Sequence, residues 1–282
     1  MVQADAGKQP TKKHQALKRT SWAVSGIAAV AIAATAVQLN ATVAQAKETL
    51  NQLAAIPMTY AAQDQPDSGE YLKISHHTWG DQCTFNLVTS EESCDSEARN
   101  SGILYVPGDP SREWVLVNEN EKYPLSNGYS RAKDGNFDGM PRPNYQDLFD
   151  NASSGEALYM YVDETYSGSS GSRAESNFVR LTDALQSGFV PADKRPAFYE
   201  ALTHVSGVSV EQGVETHDGE IGIAIGRTEL LRHGIRQEII VSSETGDVIG
   251  GRSFSTTSFA GFGKNEMVST SVIESEVVIS AP

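Results

Sequence analysis

QEIIVSSETGDVIGGRSF, residues 237–254, holds two β-rich runs around a turn. Gln237–Ser242 and Val248–Phe254 are strand-like, and Glu244-Thr245-Gly246-Asp247 between them supplies turn chemistry. Gly246 can take the positive φ that a tight link between antiparallel strands commonly needs. Working outward, Gly207–Val214 and Glu220–Arg227 flank the turn His217-Asp218-Gly219, and Met267–Ile279 alternates. Upstream, Glu70–Trp79, Gln82–Thr89, Ile103–Val106 and Glu113–Asn118 read as an antiparallel meander, punctuated by WGDQ, NSG and PGDPS.

Helical sequence lies between the two β regions, after a loop-rich stretch at about 125–145. Ser153-Ser154-Gly155-Glu156 has the spacing of a capping box ahead of ALYMYVDE. Phe178, Leu181 and Leu185 share one helical face, with Gly188 at the position of a C-cap. Lys194–Val205 places Phe198, Ala201, Leu202 and Val205 on one face, and SGSSGS at Ser167–Ser172 reads as a flexible connector. Strands, then helices, then strands, without βαβ alternation, predict an α+β fold with a curved, mostly antiparallel sheet and a helical insert.

The chain has 282 residues and a formal charge of −14. Residues 1–20 hold Lys8, Lys12, Lys13, Lys18 and Arg19 against Asp5, a net of +4, so the remainder carries −18. A domain that acidic repels phosphate backbones, which excludes nucleic acid as a partner. No charged residue occurs from Thr20 to Ala46. Its apolar centre, Trp22–Val37, would span about 24 Å as a helix, and the weakly polar QLNATVA extends it toward the roughly 30 Å of a bilayer core. The one-sided basic flank predicts a cytoplasmic N-terminus. The expected layout is 1–20 cytoplasmic, 21–46 a transmembrane signal anchor, and 47–282 an extracytoplasmic domain in the cell envelope. The alternative is a signal peptide cleaved at Ala44-Gln45-Ala46, releasing a secreted product. The long basic region favours the anchor. Beyond it, Lys47–Ile56 has helical spacing at Leu50, Leu53 and Ala54, and Pro57 ends it.

The two cysteines, Cys83 and Cys94, agree with export. An oxidising compartment favours a hairpin-like disulfide between them over two separate thiols. A metal reading lacks ligands, because His76 and His77 on one strand point to opposite faces. The sequence has no G-x-S-x-G between a strand and a helix, no H-E-x-x-H, no Walker A and no G-x-G-x-x-G. None of the six histidines has i, i+4 spacing to another. Asp134–Gly139, DGNFDG, matches the opening of a calcium loop, but position twelve is Tyr145 and Asp147 is out of register; two Asp-Gly turns explain the same residues. No catalytic, cofactor or metal site is predicted.

DKRPAFYEALTHVSGV, VETHDGEIGIAIGR and RQEIIVSSETGDVIGGRSF resemble segments of an uncharacterised actinobacterial family of single-pass membrane proteins. The matching residues are Arg195, Phe198, Tyr199, Ala201, Leu202, Gly207, Val208, Asp218, Gly219, Thr245 and Gly246. Ser206 stands where the family often has proline, and Ser242-Ser243-Glu244 replaces an Asp-Pro. The basic segment, anchor and following helix also agree, so the resemblance covers both ends more than the middle. The family's genes often lie beside extracytoplasmic-function sigma factors, which implies envelope signalling. Its ectodomain is similar to the half-barrel of lipoprotein carriers and periplasmic anti-sigma regulators, an analogy of fold. The expectation is a non-catalytic envelope protein that binds or senses a ligand or protein partner; the alternative is a carrier of a hydrophobic ligand or lipoprotein. Phe178, Leu181, Leu185, Phe198 and Leu202 would cover the concave face, or form plain core.

Overall fold

The computed structural model describes residues 32–56, 66–80, 82–86, 91–95, 99–121, 125, 127–137, 140–141, 145–168, 170–258 and 262–282, with backbone alone at 32–42, 82–86, 91–95 and 140–141. Its elements are α1 (Ile32–Ala54), β1 (Tyr71–Gly80), β2 (Gln82–Asn86), β3 (Glu91–Asp95), β4 (Arg99–Pro107), β5 (Trp114–Asn120), β6 (Gly128–Ala132), β7 (Asn136–Phe137) and β8 (Met140–Pro141). There follow α2 (Gln146–Asn151), α3 (Gly155–Glu164), α4 (Arg173–Gln186), α5 (Arg195–Leu202), β9 (Val208–Glu215), β10 (Ile221–Glu229), β11 (Ile235–Val241), β12 (Val248–Ser255) and β13 (Glu266–Val278).

Nine strands form one curved antiparallel sheet in the order β6-β5-β4-β1-β13-β12-β11-β10-β9. The α+β class with a helical insert is therefore observed. The upstream strands do not form the expected simple meander. The β2–β3 hairpin pairs only with itself, and β1 passes it to pair with β4 on one side and β13 on the other. Two runs of neighbouring strands thus join at the centre, where Tyr71 faces Val278. Period-2 alternation identifies each strand but carries no record of a partner two hundred residues away.

Among the described residues α1 packs against β9 and α4 against β10 and β12, while α3 packs on α4 and α5, and α5 also on α1. Phe178, Leu181, Leu185, Phe198 and Leu202 meet Ile223, Ile225, Ile239 and Val241 in one buried core. Ala46, Thr49, Leu50 and Leu53 form the buried stripe of α1, which ends just before Pro57 as expected. Ala46 is thereby part of the folded domain. The anchor and basic segment at 1–31 lie outside the described residues; among those described, no helix is long and apolar enough to cross a membrane.

Local capping corrects two readings. The N-cap of α3 is Ser154, whose hydroxyl accepts from Ala157 N–H, so the capping box written around Ser153 is displaced by one residue. Glu200 of α5, not Glu156, accepts from the neighbouring Gly155 N–H at 2.8 Å. The end of SGSSGS is no free connector: Ser172 caps α4 and donates to Glu229, and Gly171 N–H donates to Glu175. Gly188 follows α4 with φ +74°, as its C-terminal position predicts.

The opposite face of the sheet has a smaller core of Val214, Ala224, Ile240 and Ile249. There the β9–β10 tip folds back, so that His217 stacks on Trp79 with ring centroids 3.8 Å apart.

Candidate functional site

Strand β1 places Ile74, His76 and Thr78 on the face turned toward the helices, by the period-2 rule. Opposite them, α4 carries the row Val179, Asp183 and Gln186, spaced i, i+4, i+7 beside its buried Phe178–Leu181–Leu185 stripe. Gln186 carbonyl lies 2.9 Å from His76 Nε2, a contact that requires the protonated Nε2 tautomer for a hydrogen bond. Two cavities flank this contact. One of about 280 Å³ lies between α4 and β1, β11, β12 and β13, bordered by Thr78, Thr182, Asp183, Ser271 and Ile273. The other, of about 420 Å³, lies toward β4 and β5, bordered by Ile74, Leu104, Leu116, Tyr145 and Phe189. His76, Asp183 and Gln186 border both.

Two glycines shape this groove. Gly102 on β4 stands directly across from His76, and a Cβ there would meet nothing within 4 Å. Its missing side chain is open volume in the larger cavity. Gly251 on β12 is the reverse case, since a Cβ would fall 2.9 Å from Gln186 Nε2. A Cβ there would push the Gln186 amide aside and crowd the Glu238 carbonyl of β11, 3.0 Å away.

The electrostatics centre on Asp183. Asp183 is exposed at the groove mouth, and partial desolvation by the protein around it raises its carboxyl pKa. Burial, reinforced by the Asp183 charge, likewise raises the Tyr145 phenol. The groove thus offers a carboxyl, an amide, an imidazole and a phenol above an apolar floor. That set can orient a small polar or amphipathic molecule by hydrogen bonds. The Thr182 hydroxyl is committed to the Phe178 carbonyl at 2.9 Å. Among the described residues no three His, Cys, Asp or Glu side chains converge as a metal site would require.

The residues singled out from sequence are distributed differently. Of the five helix positions expected over the concave face, Phe178 borders the groove, while Leu181, Leu185, Phe198 and Leu202 are sealed in the core. Cys83 and Cys94 stand directly opposite each other in the β2–β3 register, away from the groove; their side chains lie outside the described residues. Asp134 is exposed at φ +55°, Asn136 starts the short β7–β8 hairpin, and Asp138 and Gly139 lie outside the described residues. His77 points to the other face of the sheet, 2.8 Å from Ser101 Oγ. Asp183 and Gln186 were not singled out, although the polar row flanking the α4 stripe was an available signal, and Tyr145 was named only at position twelve of the calcium-loop match.

No protein-family model matches the chain, and no curated protein matches it.

Proposed function

We propose that this chain is a non-catalytic, membrane-anchored envelope protein that binds a small polar or amphipathic ligand in the groove between α4 and the sheet. The observation that supports it is the pair of cavities meeting at His76, Asp183 and Gln186, between α4 and the sheet. A core built only for stability would close that space, since interiors pack to crystal-like density. The resemblance to an actinobacterial family next to sigma-factor genes makes signal transmission the purpose of binding. The cytoplasmic segment of residues 1–20 is too short to fold alone, so a protein partner would carry the signal inward.

A second reading, a hydrophobic-ligand carrier, draws on the apolar wall of the larger cavity at Ile74, Leu104, Leu116 and Phe189. The carboxyl and amide at its mouth fit a ligand with a polar head better than a fully buried acyl cluster.

The test is native mass spectrometry of the full chain purified in detergent, alongside Gly102→Val, which fills the larger cavity. A small molecule retained by the wild type and lost in the variant supports the groove as a binding site. A bound species of lipid mass selects the carrier reading. An empty wild type that also shows no mass increase with extracted envelope metabolites removes both.

A further inference from the structure

We infer that the ligand of the groove is a primary amine, held as its ammonium between Asp183 and Gln186 with its apolar body in the larger cavity. This rests on the reading of the groove as a binding site. Asp183 borders both cavities, and among the described residues nothing pairs with its carboxylate. Other aspartates of the helical layer are paired: Asp147 with Arg180 at 3.7 Å and Asp163 with Arg173 at 3.4 Å. The carboxylate that faces the groove is thus left for a cation from outside.

Charge selects the sign of that ligand. Among the described residues no Lys or Arg borders the larger cavity. Arg252 borders the smaller one, but it is taken up by Glu238 and, at 2.7 Å, by Glu211. Residues 21–282 carry −18, a field that draws cations to an acidic mouth and repels acids from it.

Spacing selects an ammonium among cations. Asp183 and Gln186 stand i, i+3 on α4, so their Cβ atoms lie about 5–6 Å apart. A nitrogen between them can donate one N–H to the carboxylate and another to the Gln186 amide oxygen, each at about 2.8 Å. The backbone carbonyl of Gln186 is committed to His76, which leaves the side-chain amide for the ligand. Tyr145 borders the larger cavity, close enough to feel the Asp183 charge, and its phenol oxygen is a third acceptor. An ammonium has three donors for these three acceptors; a quaternary ammonium has none and an alcohol has one. Beyond the head, Ile74, Leu104, Leu116 and Phe189 border the larger cavity, and Gly102 leaves its wall open. Such a wall suits an alkyl or aryl amine and not a polyamine, whose second charge would be buried without a partner.

Pentylammonium, 1-pentanol and pentanoate share one tail and differ in the head. Each is titrated by calorimetry into the full chain in an uncharged detergent, with protein-free micelles as the blank. Pentylammonium should bind about tenfold more tightly than pentanol, and pentanoate should not bind. Asp183→Asn should weaken pentylammonium about tenfold and leave pentanol unchanged, whereas Gly102→Val should weaken both. Equal affinities for pentylammonium and pentanol, both weakened by Gly102→Val, overturn the amine and leave the groove standing as a binding site. Pentylammonium binding that neither substitution alters overturns the inference and takes the site out of the groove. No uptake of any probe overturns the inference, and the groove reading then stands or falls on the mass retained by the wild type. Pentyl phosphoethanolamine, the same tail on a lipid-type head, separates two sources of the ammonium. Binding tighter than that of pentylammonium assigns a lipid headgroup, and weaker binding a free amine. The comparison of heads on the wild type needs no variant, and circular dichroism matching the wild type shows that both variants are folded.

Discussion

The two halves of the sheet receive different cover. Over β9–β11, Phe198, Leu181, Leu202 and Val162 are fully buried, and the helices fill the space. Over β1, β4 and β5 the cover is Phe189, Tyr145 and the turn at 133–137, where Gly135 fits under the Trp114 ring. The first half spends its apolar residues on packing; the second leaves Leu116 half-buried beside a cavity. One sheet can therefore hold a rigid scaffold and an open groove side by side, divided by the line of α4.

The sharpest break of that comparison is a pair of truncations. Phe198→Ala should cost about 3–5 kcal/mol, because the packed half cannot collapse around the void. Leu116→Ala should cost about 1 kcal/mol, since it enlarges a space that exists already. Urea unfolding of both variants measures this, and equal losses would show that the two halves are packed alike.

Next in size is Gly246→Val. Gly246 has φ +72°, its carbonyl accepts from the Tyr199 hydroxyl at 2.5 Å, and Ile56 closes over it. The substitution should cost about 2–3 kcal/mol in left-handed strain. Thr245→Ala should cost less, because it removes only the 3.2 Å bond from Asp247 N–H to Thr245 Oγ1. Thermal melts of the two variants rank them.

This turn shows what was legible in sequence. Turn chemistry, strand alternation and the buried faces of α4 and α5 are local, and each was read correctly from neighbours a few residues apart. The groove was not legible, because Tyr145, Asp183 and His76 come from three elements that only the fold brings together. The mispaired meander fails for the same reason. The SGSSGS reading failed differently: small polar residues permit flexibility, but Ser172 found a cap and the buried Glu229 across 57 positions.

Glu229 locks α4 to β10 on the packed side, so acid should loosen that half first. Burial alone would raise its carboxyl, but hydrogen bonds from Ser172, Arg227 and Leu231 N–H outweigh it and hold the pKa down at about 2. A pKa lowered in the fold means that the stabilisation is complete above the unfolded value of about 4.3 and is lost as pH falls from there toward 2. Melting temperatures between pH 5 and 2 should fall more steeply for the wild type than for Glu229→Gln. Parallel curves would remove Glu229 from the lock.

On the open side, Gly102→Val should raise stability by about 0.4–1 kcal/mol, since its Cβ meets no atom and the unfolded chain loses freedom. A loss of stability there would mean that the cavity is narrower than its walls indicate.

The smallest effect is expected at Asp183, and its sign separates a groove from a core. A buried, ion-paired aspartate would stabilise the fold when charged, and removing its charge would destabilise. Asp183 is the opposite case: desolvation raises its pKa, so the folded protein disfavours the carboxylate. Its contribution is least unfavourable below the unfolded pKa and becomes more so as pH rises through the folded value. Asp183→Asn should therefore leave stability within about 0.5 kcal/mol of the wild type at pH 7, on the stabilising side, and equal to it at pH 3. Where it borders both cavities, the Asp183 carboxylate has a cationic or donor group as its natural complement. If Asp183→Asn instead destabilises at pH 7 and the loss disappears at pH 3, the charge is holding the fold together, and the groove loses its polar anchor.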